Sequence, residues 1–139
     1  MIAFDIDGVF IPNWSGIGMS LEEYLESRYM WDPLFEPRFP YCMITGRPAE
    51  DKEKTLGWIN KTFKSNPPAC VYHDNTLGFD LLGSIKYKAW ILNRDKSIKV
   101  FVESDIDQVV ELKKLCHDAV EILHFESMIG VMNENLSFL

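Results

Sequence analysis

The stretch Met1-Ile-Ala-Phe-Asp-Ile-Asp-Gly-Val-Phe10 decides the reading of this chain. Ile2, Ala3 and Phe4 form a short apolar run, which predicts a buried strand over residues 2–6. The strand ends in two carboxylates, Asp5 and Asp7, followed by Gly8. Residues two apart on a strand point to the same side. At the carboxyl end of a buried strand, such a pair faces the crevice where open α/β sheets bind ligands. Two crowded carboxylates repel, and a divalent cation or a retained proton relieves the repulsion. An Asp-x-Asp-Gly turn that merely closes a strand uses the same residue types, so the rest of the chain must decide.

Moving outward, residues 8–18 carry Pro12, Gly16 and Gly18 and read as a loop or small flap. Ser20 and Glu23 have the spacing of a capping box and open a helix through about Tyr29. Pro33, Pro37 and Pro40 keep residues 30–40 from regular helix. Tyr41 to Ile44 is a second apolar strand. Pro48 suits a first helical turn, and the helix continues to Phe63. Ala69 to Tyr72 reads as a strand, residues 73–83 as a loop, and Ser84 or Lys86 as the start of a helix to about Arg94. Ile98 to Val102 is a strand, Asp105 to His117 an amphipathic helix, and Val120 to Leu123 a strand. The tail after Met128 carries no clear pattern. The alternation after Tyr41 predicts an α/β fold of Rossmann-like type, a parallel sheet of about five strands with helices on both faces.

The 139 residues suit one domain over 1–139, with a small flap and helix inserted at about 10–40. The apolar share of 47% and charged share of 25% are those of a globular protein. A formal net charge of -7 counts against broad binding of nucleic acid, which wants a basic surface. No apolar run reaches the length of a membrane span. Asp5 and Asp7 stand where a signal peptide needs apolar residues. Cys42, Cys70 and Cys116 are odd in number and widely spaced, which points to free thiols and a cytoplasmic setting.

Three further polar clusters follow the expected strands. Thr45, Gly46 and Arg47 come after the second, Lys86 and Lys88 near the start of the third helix, and Glu103, Ser104, Asp105 and Asp107 after the fourth strand. In a parallel sheet the carboxyl ends lie on one edge, so Asp5, Asp7, Thr45 and Glu103 are expected to converge there. Together they suit phosphoryl transfer, which needs an in-line nucleophile, charge neutralisation and a metal. Asp5 is the candidate nucleophile, forming an aspartyl-phosphate. Asp7 is the candidate acid for the leaving oxygen and base for the attacking water. Thr45 offers a hydroxyl and Gly46 adjoining backbone to the phosphoryl group, and a lysine, Lys86 or Lys88, balances its charge. Glu103, Asp5 and a backbone carbonyl offer hard oxygen ligands to Mg²⁺, with Asp105 or Asp107 as a further carboxylate beside Glu103.

These residues resemble the motifs of the haloacid dehalogenase superfamily of phosphatases and phosphotransferases. Phe4-Asp-Ile-Asp-Gly-Val9 is similar to its first motif and Met43-Ile-Thr-Gly-Arg-Pro48 to its second. Lys88 resembles the third, and Phe101-Val-Glu-Ser-Asp105 the fourth. The resemblance spans residues 1 to about 124. It implies a Rossmann-like core, a Mg²⁺-dependent phosphomonoester hydrolase, Asp5 as nucleophile, Asp7 as acid and base and metal ligand through its carbonyl, and Thr45 with Lys88 at the phosphoryl group. The fourth motif departs from the usual adjacent aspartates, since Ser104 follows Glu103.

The two insertion points are too short for a full cap domain, so an open site, or one covered by another subunit of a homo-oligomer, is expected. Trp14, Tyr24, Tyr29, Met30, Trp31, Phe35 and Phe39 crowd the insert, where packing on the core is favoured over a stacking surface or an interface. Arg28 and Arg38 read as solvated surface charges before anion ligands, and His73 as structural before lining the crevice. The partner expected is a phosphorylated substrate. The alternatives are a phosphatase of nucleic-acid 3′ ends and a non-catalytic binding or assembly module on the same fold.

Overall fold

The computed structural model describes residues 1–14 and 17–125. Ser15, Gly16 and the tail after Met128 lie outside the described residues. Five strands, β1 (Ile2–Phe4), β2 (Tyr41–Thr45), β3 (Val71–His73), β4 (Val100–Glu103) and β5 (Glu121–His124), form one parallel sheet in the order β3-β2-β1-β4-β5. Four helices join them: α1 (Leu21–Ser27), α2 (Lys52–Thr62), α3 (Leu81–Arg94) and α4 (Ile106–Leu115). The expected α/β, Rossmann-like architecture is thus observed, and among the described residues no separate cap domain is present.

Side-chain alternation explains why both faces of the sheet are covered. Ala3, Cys42, Ile44, Phe101 and Ile122 point to one face, where they pack with Ile85, Ala89 and Leu92 of α3 and Val109 and Leu112 of α4. Phe4, Tyr41, Met43 and Val102 point to the other, where they meet Trp58 and Ile59 of α2 and the insert. Strands buried on both faces need continuous apolar runs, which is how β1, β2 and β4 read.

Several boundaries differ from the sequence reading. Pairing of the first strand ends with the Asp5 N–H donating to Val102 O at 3.0 Å. Ile6 O then accepts from the Val9 and Phe10 N–H groups, which closes a turn. The helix expected from Pro48 begins as a 3-10 turn over Ala49–Asp51 before α2. β3 sits later than Ala69 to Tyr72. α3 starts at Leu81, earlier than Ser84 or Lys86, because Asp80 caps it through Oδ2, which accepts from the Gly83 N–H at 3.0 Å. Ser20 caps α1 in the expected way, its Oγ accepting from the Glu23 N–H at 3.2 Å.

The insert folds back onto the sheet. Val9, Phe10 and Ile11 are fully buried. Phe10 stacks on Phe35 with ring centroids 4.9 Å apart and meets Phe63 edge-on at 5.2 Å. Trp31 meets the Tyr24 ring, and its carbonyl accepts from Trp58 Nε1 at 2.9 Å. Of the insert aromatics, Tyr24 is buried and Tyr29, Trp31, Phe35 and Phe39 are half-buried against the core, whereas Met30 and Trp14 stay exposed. Among the described residues no helix is long and apolar enough to cross a membrane.

Candidate active site

The chain runs from β1 outward through β2 to β3 and then crosses back to β4 on the other side of β1, so the strand order reverses beside β1. Parallel sheets open a crevice at such a reversal, outside the carboxyl ends of the strands. A crevice of about 520 Å³ lies there, and Asp5, Asp7, Thr45, Gly46, Lys88, Glu103 and Asp105 all line it. Residues from four segments of sequence thus meet at one edge of the sheet.

Asp5, Lys88 and Glu103 form its floor. Lys88 is 2% exposed and projects from the third turn of α3. Its Nζ donates to Asp5 Oδ2 at 3.2 Å, Glu103 Oε2 at 2.8 Å and Gln108 Oε1 at 2.9 Å. All three ammonium donors are thereby engaged. Burial pulls the ammonium down, but Asp5 and Glu103 outweigh it and hold its pKa above the ordinary lysine value. The Asp5 carboxyl moves well above the usual carboxylate range, because it is buried and faces Glu103, with Lys88 pulling the other way. Asp5 Oδ1 accepts from the Ile6 N–H at 2.8 Å. Lys86, the rival for this position, is exposed on the same helix.

Asp7 has a different environment. Arg47 donates from Nη2 to its Oδ1 at 2.8 Å and from Nε to its Oδ2 at 2.9 Å. Arg28 Nη1 adds contacts at 3.3 and 3.4 Å. Burial pushes the Asp7 carboxyl up, but Arg47 and then Arg28 prevail and lower it to about 2. Arg28 also donates to Asp51 Oδ2 at 3.0 Å, and the Tyr29 ring lies 5.3 Å from the Arg28 guanidinium and 5.6 Å from that of Arg47. Arg28 is only 4% exposed, which corrects its reading as a solvated charge. Arg38 is exposed, as expected.

Thr45 ends β2, fully buried, with its Oγ1 accepting from the Arg47 N–H at 3.1 Å. Gly46 is required by close approach. A Cβ there would collide with the Ser84 hydroxyl and stand 2.6 Å from Ser84 Cβ. Gly8 is held in the left-handed region at φ 81°, packed against Asn13 and Ser104. Ser104 Oγ donates to Asp7 O at 3.0 Å, which ties the ends of β1 and β4 together.

The residues offered for a cation are hard oxygens: the Asp5 and Glu103 carboxylates and the Asp7 carbonyl. Two buried carboxylates share one lysine, an excess of negative charge that a divalent cation fits. Glu103 Oε1 accepts from the Ser104 N–H at 3.1 Å, and Asp105 caps α4 by accepting from the Asp107 N–H at 2.9 Å. Asp107 is exposed. Among the described residues no three Asp, Glu, His or Cys side chains converge as a metal group. Asp7 contributes no carboxylate to such a set, since the arginines hold it.

His73 is buried beside Thr45 in the sheet and donates from Nδ1 to Asp74 O at 2.8 Å. It does not line the crevice. The sequence reading grouped Arg47 with Thr45 and Gly46 without giving it a role, took Arg28 for a solvated charge, and missed Gln108. Arg47 had a signal, because it directly follows Thr45-Gly46 at the carboxyl edge. Gln108 had only its position in the first turn of a helix after an acidic cluster.

No protein-family model matches the chain, and no curated protein is significantly similar to it in sequence.

Proposed function

We propose that the protein is a Mg²⁺-dependent phosphomonoesterase that works through an aspartyl-phosphate on Asp5. The observation that carries this reading is the convergence of Asp5, Lys88 and Glu103 with Thr45 and Gly46 around one crevice at the carboxyl ends of the strands. The resemblance of the four motifs to the haloacid dehalogenase superfamily supports it.

In this reading a carboxylate oxygen of Asp5 attacks phosphorus in line with the leaving oxygen. Asp5 Oδ1 is oriented by the Ile6 N–H and Oδ2 by Lys88, so the nucleophile is positioned before substrate arrives. Lys88 and the Thr45 hydroxyl stabilise charge on the transferring group. Asp5, Glu103 and the Asp7 carbonyl are the residues to hold Mg²⁺, which when bound neutralises the phosphoryl oxygens and lowers the cost of ionising Asp5. Asp7 is the acid and base for the leaving oxygen and for water. That role requires its carboxyl to turn from Arg47, because in the clamped state it is an anion with no proton to give.

The same clamp favours a second reading, a non-catalytic binding module. The arginines give Asp7 a structural purpose that needs no chemistry. Phosphate release from a panel of phosphomonoesters, with and without Mg²⁺, separates the two. The phosphatase reading expects Mg²⁺-dependent release that disappears in Asp5→Asn. No release from any ester leaves the binding module.

A further inference from the structure

The walls of the crevice differ in character from its floor. Trp14, Leu21 and Leu25 from the insert line it, as do Phe79 before α3 and Leu81 in its first turn. These five side chains are between 39% and 65% exposed. Large apolar side chains gathered around a charged floor mark a surface that a ligand covers. The volume of about 520 Å³ is that of a small-molecule site.

Charge restricts the occupant further. Each cation lining the crevice is already held by carboxylates: Lys88 by Asp5 and Glu103, Arg47 by Asp7, and Arg28 by Asp7 and Asp51. Every side-chain cation of the crevice is thus committed, so among the described residues it offers one phosphoryl position, which the phosphatase reading puts at Thr45 beside Lys88 and the proposed Mg²⁺, and no uncommitted cation for a second anionic group. We infer that the substrate is a small monophosphate ester whose organic body is uncharged and aromatic or apolar, seated against Phe79, Leu81, Leu21, Leu25 and Trp14. The inference rests on the phosphatase reading for the position of the phosphate. It adds what the rest of the molecule must be.

Calorimetry with phenylphosphonate and methylphosphonate, in Mg²⁺, tests the walls without any turnover, because neither compound has an ester bond to break. Burying one ring against these walls removes apolar surface from water, so phenylphosphonate is expected to bind at least about tenfold more tightly. Phe79→Ser and Leu25→Ser, both at exposed positions, are expected to shrink that ratio, and Phe79→Leu to keep most of it. Equal affinities, binding of neither compound, or a ratio unmoved by both serine variants overturns the inference. In turnover, phenyl phosphate should show a lower KM than glycerol phosphate, and a preference for a bisphosphate over phenyl phosphate also overturns it. If no ester is hydrolysed, the phosphatase reading fails, yet the phosphonate ratio still decides this inference.

Discussion

Arg47 grips Asp7 through both carboxylate oxygens, at 2.8 and 2.9 Å, although the two residues belong to different strand ends. Side-on pairing of this kind is the strongest geometry open to a guanidinium and a carboxylate. Arg28 reaches the same carboxylate from the end of α1 and also holds Asp51. The Asp7 side chain thus ties together β1, the residues after β2, and the insert. The insert is fixed against the site by charge as well as by its aromatic packing.

The clamp makes stability depend on the ionisation of Asp7. Its carboxyl lies at about 2, below the ordinary 3.8, so its contribution is complete above the unfolded value and is lost as pH falls through the folded one. Wild type should exceed Asp7→Asn by on the order of 1–2 kcal/mol at neutral pH. Urea unfolding of both proteins from pH 7 down to pH 2 checks this. A gap that stays constant over the acidic range contradicts it.

Lys88 neutralises two buried carboxylates, so its loss leaves them facing each other. Lys88→Met should destabilise the fold by about 3 kcal/mol. Gln108→Leu, which removes one acceptor from an ammonium that keeps two, should cost about 1 kcal/mol. Mg²⁺ should raise the Tm of Lys88→Met more than that of wild type, because a cation that binds the folded site replaces the missing charge. Thermal melts with and without Mg²⁺ provide the comparison, and an equal response of the two proteins counts against a cation site at Asp5 and Glu103.

Gly46 is small because Ser84 occupies the space its side chain would need. Gly46→Ala should destabilise by about 1–3 kcal/mol through overpacking. Ser84→Gly in the same chain removes both the hydroxyl and the Cβ that collide, and should recover part of that loss. A double-mutant cycle by urea unfolding reads the coupling. Additive effects would mean that α3 does not press on Gly46.

Much of this architecture is legible in sequence because buried parallel strands must be apolar on both faces. Ile2-Ala-Phe4, Tyr41-Cys-Met-Ile44 and Val100-Phe-Val102 are short runs of that kind. The polar residues that follow them fall on one edge by geometry alone, which is why the sequence groups Asp5, Thr45 and Glu103. The start of α3 was less legible. Asp80 caps it, but the preceding Gly78 and Phe79 look like loop, and a misplaced start left Lys86 and Lys88 as rivals. Only the observed helical phase turns Lys88 inward and Lys86 out. The clamp on Asp7 was illegible for a deeper reason. Arg28 lies at the end of a helix whose charged face otherwise suggests solvent, and nothing in its spacing reveals that the insert folds back over β1. The same concealment made Asp7 look free to act as an acid.

Asp5 is the residue proposed to take the phosphoryl group. The most direct measurement is to mix the protein and Mg²⁺ with radiolabelled phenyl phosphate, quench in acid within one turnover, and map the labelled peptide. An acid-stable, hydroxylamine-labile label is expected on the peptide containing Asp5 and absent from Asp5→Asn. Label on another residue, or phosphate release that persists in Asp5→Asn, would contradict it.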